Sequence, residues 1–518
     1  MEVKIKMLLD ALKNSGVIDV SNNSKCISSP TGFTAVDMLG ATAEIDVYGR
    51  PVVNGGVSTR FYMKTGQSGQ GKTTLAIQSC CNSVKWWNDR YPQEPADFIM
   101  IDSEDNTTID RVMDLSHWTP DYINRHFTLR KDVNLKDMYN FLLKLVDVKK
   151  KNKDQYYVET PILNIDGKPL YAWAPTFILI DSIAAVKSGV GIEDAERDKA
   201  GELKEVEISG NIDAMREAKL NTDFIMKMKP LCNQYGIYLS LINHITQEQK
   251  MSMFDIPKRY LIALKPGEKL RGGFELIYQA YGIDRLTMKE KLDMRNPIYG
   301  EDIDGFIAEY MYIKSKNHGE AVPYRMVIDK RRGYMPELSD FEYLYSVGFG
   351  IGGAGASLYM LILPEVKFSR KTLLQKCKDY PELARAIEFT AKFYIMNNLV
   401  LNLPEIPDFT IFTSLPIVER LKYIYQYSFT YSGYDPYDIS KENEESLAIA
   451  KYNPNNDFKV DRSNSYIDPL AVLLLTPDAD GCGPYVVPDG FRDYVTPDKI
   501  GIEYTNIDGY LFKKEFIK

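Results

Sequence analysis

The chain has 518 residues, 44% hydrophobic and 26% charged, which is ordinary for a soluble globular protein of roughly three domains. Its net charge of −8 gives no bulk-charge support for nucleic-acid binding, so any such site must be a local basic patch on an acidic body. Six cysteines (Cys26, Cys80, Cys81, Cys232, Cys377 and Cys482) without C-x-x-C spacing, and four scattered histidines, argue against a zinc site and suit a reducing compartment.

Residues 1–25 read as a short amphipathic helical leader, assigned to protomer contact, and not as a signal peptide. No run of about 18 apolar residues occurs, so no membrane partner and a cytoplasmic location are expected. From Cys26 to Tyr334 strand-like runs alternate with helical stretches. Phe61–Lys64 is expected as a strand, Thr73–Trp87 as a helix and Asp97–Ile101 as a strand. Leu135–Val148 is expected as a helix closed by a solvated basic run, Lys149–Lys151 and Lys153. Tyr156–Ala172, with Asp166-Gly167 between strand-like flanks, reads as an inserted hairpin. Thr176–Ile180 and Ile237–Ile242 are apolar runs of the buried parallel-sheet kind, separated by a helical stretch over Met215–Cys232. The alternation predicts an α/β fold with a mainly parallel sheet over residues 26–336. Residues 337–401 read as a small α-rich module: Ser369 can cap a short helix, Pro381 suits a first turn, and Leu383, Ala386, Ile387, Thr390, Ala391 and Tyr394 keep helical spacing. Residues 402–518, rich in Tyr, Pro, Asp and Asn, form an extension without a motif.

Gly66-Gln67-Ser68-Gly69-Gln70-Gly71-Lys72-Thr73, followed by Thr74, matches G-x-x-x-x-G-K-[ST] between a strand and a helix. Glycines let successive backbone N–H groups turn around phosphate oxygens, and the helix N-terminus adds its dipole. Lys72 is expected to neutralise the β/γ-phosphates of ATP and Thr73 to ligate Mg²⁺. Asp181 closes the apolar run Phe177–Ile180, where an acid needs a partner or a metal, and is assigned to the Mg²⁺ shell. Glu104, in Asp102-Ser103-Glu104 at the carboxyl edge of the sheet, is assigned as general base or water-positioning residue.

These residues together resemble the RecA family of recombinases, and especially its phage UvsX-type branch, over about Ile27–Leu399. The lead-in from Ile27-Ser28-Ser29 to Leu39-Gly40 is similar to the family's I-S-T-G-x-x-x-L-D. Asp102-Ser103-Glu104 resembles its D-x-E, and Asp181-Ser182-Ile183-Ala184-Ala185 its D-S-V-A-A. Leu241-Ile242-Asn243-His244 resembles the strand whose last residue senses the γ-phosphate. Ile245–Arg271 stands where the family keeps its second DNA loop, closed by Gly272-Gly273. Lys314-Ser315-Lys316 before Pro323 resembles its K-x-K…P, and Ser369–Ile395 its helical C-terminal domain. The resemblance implies that His244 senses the nucleotide and that Lys314 and Lys316 reach the ATP of a neighbouring protomer. It also places Arg111 where the family stacks adenine, and a guanidinium can stack on a base.

Two segments depart from the family pattern. The stretch between Glu104 and Asp181 is longer and holds the hairpin, and the first DNA loop, over residues 187–207, carries seven acidic against four basic residues. The second loop has Lys250, Lys258, Arg259, Lys265, Lys269 and Arg271 against Glu248, Asp255 and Glu268, with Phe254 and Tyr260 interleaved. Basic residues neutralise phosphates and aromatics stack on bases, indifferent to sequence.

The expected function is an ATP-dependent recombinase that forms filaments on single-stranded DNA and exchanges strands with a homologous duplex. Its expected partners are single- and double-stranded DNA, further copies of itself, and by extension a single-strand-binding protein and a loader protein. Two alternatives stay open: a hexameric helicase on the same ATPase core, and a nucleotide-dependent scaffold that has lost strand exchange.

Overall fold

The computed structural model describes residues 28–45, 51–88, 91–131, 133–163, 169–183, 210–247, 259, 261, 264–271, 274–292, 297–300, 303–317, 319–395, 398–399, 409, 504–507 and 510–513. The expected helical leader and the segment 187–207, expected as a first DNA loop, lie outside them, as does nearly all of the C-terminal extension.

Four short strands open the described chain: β1 (Ser28–Ser29), β2 (Thr42–Ile45), β3 (Pro51–Asn54) and β4 (Val57–Ser58), with α1 (Thr34–Met38) between the first two. A strand and a helix flanking the glycine-rich loop follow as β5 (Phe61–Gly66) and α2 (Lys72–Asn88). Next come β6 (Asp97–Asp102), α3 (Ile109–Ser116), α4 (Pro120–His126), β7 (Phe127–Lys131), α5 (Leu135–Lys151) and α6 (Lys153–Tyr156). The expected hairpin is present as β8 (Tyr157–Leu163) and β9 (Pro169–Trp173), paired antiparallel outside the main sheet; its turn falls outside the described residues. The core continues through β10 (Thr176–Asp181), α7 (Gly210–Tyr235), β11 (Ile237–Gln247), β12 (Glu268–Leu270), α8 (Phe274–Gln279), β13 (Gly282–Lys291), β14 (Gly305–Ser315), β15 (Tyr324–Asp329) and β16 (Gly333–Tyr334).

Ten of these strands make one sheet in the order β16-β15-β14-β13-β5-β11-β10-β6-β7, with β12 attached to β11. The strands from β13 to β7 in that order run parallel, whereas β14, β15 and β16 extend the sheet antiparallel. The chain is therefore a mixed α/β protein with a large, mostly parallel central sheet.

The two faces follow from the two-residue period of a strand. Phe61 and Met63 of β5, Ile99 and Ile101 of β6, and Ile178 and Ile180 of β10 pack on one side. They meet Met138, Leu142 and Val146 of α5 and Phe224, Ile225 and Met228 of α7. The intervening Tyr62, Phe98, Met100, Phe177 and Leu179 face the other side, against Leu75, Ala76, Cys80 and Val84 of α2. Covered on both faces, these strands carry continuous apolar runs, Phe61–Met63, Phe98–Ile101 and Phe177–Ile180, which is the pattern of a buried parallel sheet.

Past the sheet come α9 (Pro336–Val347), β17 (Ile351–Gly352), β18 (Leu358–Met360), β19 (Leu363–Phe368), α10 (Leu373–Asp379) and α11 (Pro381–Ile395). Ser369 does cap the turn before α10, in a reciprocal box with Thr372. The α-rich reading of this region was incomplete: β17, β18 and β19 form a three-stranded sheet, in which β17 and β18 are two and three residues long, too short to show alternation. This region shares its core with the chain's start. Thr34 Oγ1 and Tyr324 Oη donate to the two oxygens of buried Asp340 at 2.7 and 2.6 Å, a carboxyl that burial pushes up to about 7.

Lys149 corrects the expectation of a solvated basic run. It is fully buried, and its ammonium donates to the carbonyls of Ala174 (2.7 Å), Tyr235 (2.9 Å) and Gly236 (3.0 Å). Lys150, Lys151 and Lys153 are exposed as expected. Among the described residues no helix is long and apolar enough to cross a membrane.

Candidate nucleotide site

Register brings the site together. In the parallel ladders Gly66 pairs with His244 and Asp102 with Asp181, so the exits of β5, β11, β10 and β6 share one edge of the sheet. Ligands of parallel α/β sheets collect at this edge.

The loop after β5 is shaped by its glycines and by local bonds. Gly69 has φ +73 in open space, so only the backbone conformation requires glycine there; at Gly71, with φ +80, a Cβ would also fall 2.7 Å from Ile328 Cδ1 and Tyr334 Oη. The Gln67 N–H donates to Gln70 Oε1 (3.1 Å), and Lys72 Nζ donates to the Gln67 carbonyl (2.7 Å). Gln67, Ser68 and Gly69 are exposed, whereas Gln70 and Lys72 are buried and Thr73 and Thr74 are half-buried on the first turn of α2. Beneath the loop, Lys64 and Asp284 form a buried ion pair at 2.7 Å, and Thr65 Oγ1 donates to the Asp284 carbonyl at 2.6 Å. Removing either partner of such a pair would strand a buried charge beneath the loop.

Thr73 Oγ1 donates to Asp181 Oδ2 at 2.6 Å. Burial, with the nearby Glu104 and Asp102, pushes the Asp181 carboxyl up to about 6, against the Thr73 hydrogen bond and the Lys72 charge. Burial likewise holds Lys72 below its ordinary value, and the Asp181 and Glu104 charges oppose that. A buried carboxylate and a hydroxyl at a helix start are hard oxygen donors, which fit Mg²⁺ with a phosphate.

Glu104 sits in the loop after β6, where the buried carboxylate of Asp102 holds the backbone by accepting from the N–H groups of Glu104 (3.1 Å) and Thr107 (2.7 Å). Its Oε1 accepts from Ser182 Oγ at 2.5 Å and lies 3.7 Å from His244 Nε2; its Oε2 accepts from Asn106 Nδ2 at 3.3 Å. Burial and the Lys72 charge pull His244 below its ordinary value, so it is neutral at neutral pH; Glu104 opposes the shift and Arg271 adds to it. Ser103 ties the two loops together. Its N–H donates to the Asp181 carbonyl (2.8 Å), and its hydroxyl reaches the Asp181 and Ser182 carbonyls (3.1 and 2.9 Å) and accepts from the Ser182 N–H (3.0 Å).

Lys72, Thr73, Glu104, Asp181 and His244 are thus gathered at one edge. Lys314 and Lys316 are not. Ser315 pairs with Gly282, and Gly282 with Tyr62 at the far end of β5, so both lysines lie at the opposite edge. Lys314 caps α8 there, donating to the carbonyls of Ile277, Tyr278 and Ala280. Lys316 is exposed. Arg111, on α3, donates through Nη1 to the Arg331 carbonyl (2.6 Å) and through Nη2 to the Lys330 carbonyl (2.8 Å), in the turn that leads to Tyr334.

Of the residues expected to contact DNA, Lys250, Phe254, Lys258, Tyr260, Gly272 and Gly273 lie outside the described residues. Arg259, Lys265, Lys269 and Arg271 are exposed. The loop has a defined stem: β12 returns antiparallel along the end of β11, and Arg285 grips Glu268 with two hydrogen bonds of 2.7 and 3.0 Å. The sequence reading missed Ser103, Asn106, Ser182 and Asn243 as partners of the site. Ser103, Ser182 and Asn243 stand inside the quoted Asp102–Glu104, Asp181–Ala185 and Leu241–His244 segments, where the motifs drew attention to the acids and the histidine alone.

Neither a scan against protein-family models nor a search of curated proteins finds a match to this chain.

Proposed function

We propose that the chain is an ATP-dependent DNA recombinase with a RecA-like core, which assembles on single-stranded DNA and promotes homologous pairing and strand exchange. The observation that carries the ATPase half of the reading is the 2.6 Å bond from Thr73 to Asp181 beside the Gly66–Thr73 loop. The recombinase half rests on the order of motifs along the chain, from Asp102-Ser103-Glu104 through Asn243-His244 to Lys314-Ser315-Lys316 and the helical C-terminal segment.

Each residue then has a distinct task. Backbone N–H groups of residues 66–73 bind the phosphates of ATP, and Lys72 adds a positive charge to them. Thr73 and Asp181 would hold Mg²⁺, which when bound supplies charge neutralisation to the β- and γ-phosphates. Glu104 orients the attacking water and takes its proton. His244, neutral and 3.7 Å from Glu104, sits where a change at the γ-phosphate would reach both β11 and the basic loop that follows it.

Lys314 and Lys316, at the opposite edge of the sheet, cannot serve the nucleotide of their own chain. In a head-to-tail assembly that edge meets the nucleotide edge of the next protomer, and lysine charge arrives in trans as an arginine finger does elsewhere. ATP state and assembly are linked by this arrangement. Contacts to DNA fall to the basic loop after β11, with Arg259, Lys265, Lys269 and Arg271 exposed on its described part.

Negative-stain imaging with single-stranded DNA and a slowly hydrolysed ATP analogue tests the reading. Long striated filaments are expected from the natural chain and none from Lys72→Ala. Normal filaments with that variant would sink the ATP assignment, and closed rings would replace the recombinase by a hexameric helicase.

A further inference from the structure

We infer that Ser182 is a positioning residue for hydrolysis: its hydroxyl fixes the Glu104 carboxylate in the orientation from which it acts on water. The inference rests on the proposed role of Glu104 and extends it to a residue outside the phosphate, metal and sensor sets.

Glu104 lies in an exposed loop segment, and its side chain alone would sample many rotamers. A carboxylate that must orient water needs one orientation, held by groups whose own positions are locked. Ser182 meets that requirement. It is fully buried, directly after the strand end that carries Asp181. Its N–H donates to Ser103 Oγ at 3.0 Å, and its carbonyl lies 2.9 Å from the same oxygen as an acceptor. With both backbone groups spoken for, the hydroxyl has a fixed origin, and it donates to Glu104 Oε1 at 2.5 Å.

The remaining contacts of the carboxylate show why this bond matters most. Asn106, the partner of Oε2 at 3.3 Å, is an exposed residue of the same loop and moves with it. His244 Nε2, at 3.7 Å, is beyond hydrogen-bond length. Ser182 is therefore the tie between Glu104 and the rigid sheet edge, and it joins the two carboxylates assigned to water and to metal through one residue step.

The test is steady-state ATP hydrolysis by the full chain on single-stranded DNA, for Ser182→Ala, Ser182→Thr, Glu104→Gln and the Ser182→Ala/Glu104→Gln pair. The expected result is a kcat lower by roughly ten- to a hundredfold in Ser182→Ala, the scale on which outer partners of a reactive group act, with KM for ATP within about twofold. Ser182→Thr keeps the hydroxyl and should recover most of the rate. Adding Ser182→Ala to Glu104→Gln should cost nothing further, because the two act as a unit. Should the alanine variant melt early, Ser182→Cys fills nearly the same volume with a poor donor and is expected to show the same kcat loss. Natural kcat in Ser182→Ala, or losses that multiply in the double variant, would overturn the inference while leaving Glu104 in place. Natural turnover in Glu104→Gln would instead remove Glu104 itself, and the hydrolysis scheme with it.

Discussion

Asn243 Nδ2 donates to the backbone carbonyl of Arg271 at 2.9 Å, tying the strand that carries His244 to the far end of the basic loop. The same amide accepts from the His244 N–H at 2.7 Å. One buried side chain thus touches the backbone of the proposed γ-phosphate sensor and the residue on which the loop closes. Asn243→Ala should leave both backbone groups without this partner, at a cost of about 1–3 kcal/mol in stability. It should also reduce the stimulation of ATP turnover by single-stranded DNA. Denaturant unfolding and hydrolysis rates with and without DNA check both; undiminished stimulation would show that the tie carries no signal.

Glu104→Gln should retain nucleotide binding and lose turnover by roughly 10²–10⁴-fold, the usual contribution of a positioned base. Fluorescent-nucleotide titration beside phosphate release separates the two quantities. Equal hydrolysis in the variant would move the base elsewhere.

Lys316→Ala tests whether the opposite edge of the sheet acts in trans. The side chain is exposed, so the substitution should change stability by less than about 0.5 kcal/mol. Nucleotide affinity of dilute protein should be unchanged, whereas turnover on single-stranded DNA should collapse. Mixing this variant with Lys72→Ala should restore some turnover if each supplies the half-site that the other lacks. No recovery at any ratio would contradict a shared site.

Lys149→Met should cost about 2–5 kcal/mol, because the carbonyls of Ala174, Tyr235 and Gly236 lose the buried donor they share. Thermal or denaturant unfolding measures it. A loss near zero would mean that the carbonyls of Ala174, Tyr235 and Gly236 find water instead.

His126 gives the fold a pH dependence of known sign. Burial alone would pull its imidazole down, but hydrogen bonds and charge from Asp97 and Glu94, at 3.1 Å on either ring nitrogen, outweigh that and raise it. A raised histidine stabilises the fold fully below its unfolded value of about 6.5, and the benefit is lost as pH rises through the higher folded value. The unfolding free energy of the natural chain should therefore fall from slightly acid to slightly alkaline pH more steeply than that of His126→Gln. Parallel curves for the two proteins would contradict the assignment.

Much of the sheet was legible because its strands are buried on both faces and so read as continuous apolar runs, as in Phe177–Ile180. The loop residues were legible because a glycine pattern, a lysine and a threonine stand between such a strand and a helix. The partners that set the geometry were not: Ser182 and Glu104 are 78 residues apart, and Asn243 and Arg271 are 28 apart. Their pairing exists only once β6, β10, β11 and β12 lie side by side. Lys149 was missed for another reason. It continues the buried stripe of Leu135, Met138, Leu142 and Val146 at helical spacing, but its charge grouped it with exposed neighbours. The strands β17 and β18, two and three residues long, offered no period long enough to read.

The central claim is that ATP bound at Gly66–Thr73 drives homologous pairing, and joint-molecule formation measures it most directly. The protein, single-stranded DNA and ATP with Mg²⁺ should convert a homologous supercoiled duplex into D-loops. A heterologous duplex, or Lys72→Ala with the homologous one, should yield none. ATP hydrolysis on single-stranded DNA without any D-loops from the homologous duplex would contradict the account and leave a DNA-dependent ATPase that does not exchange strands.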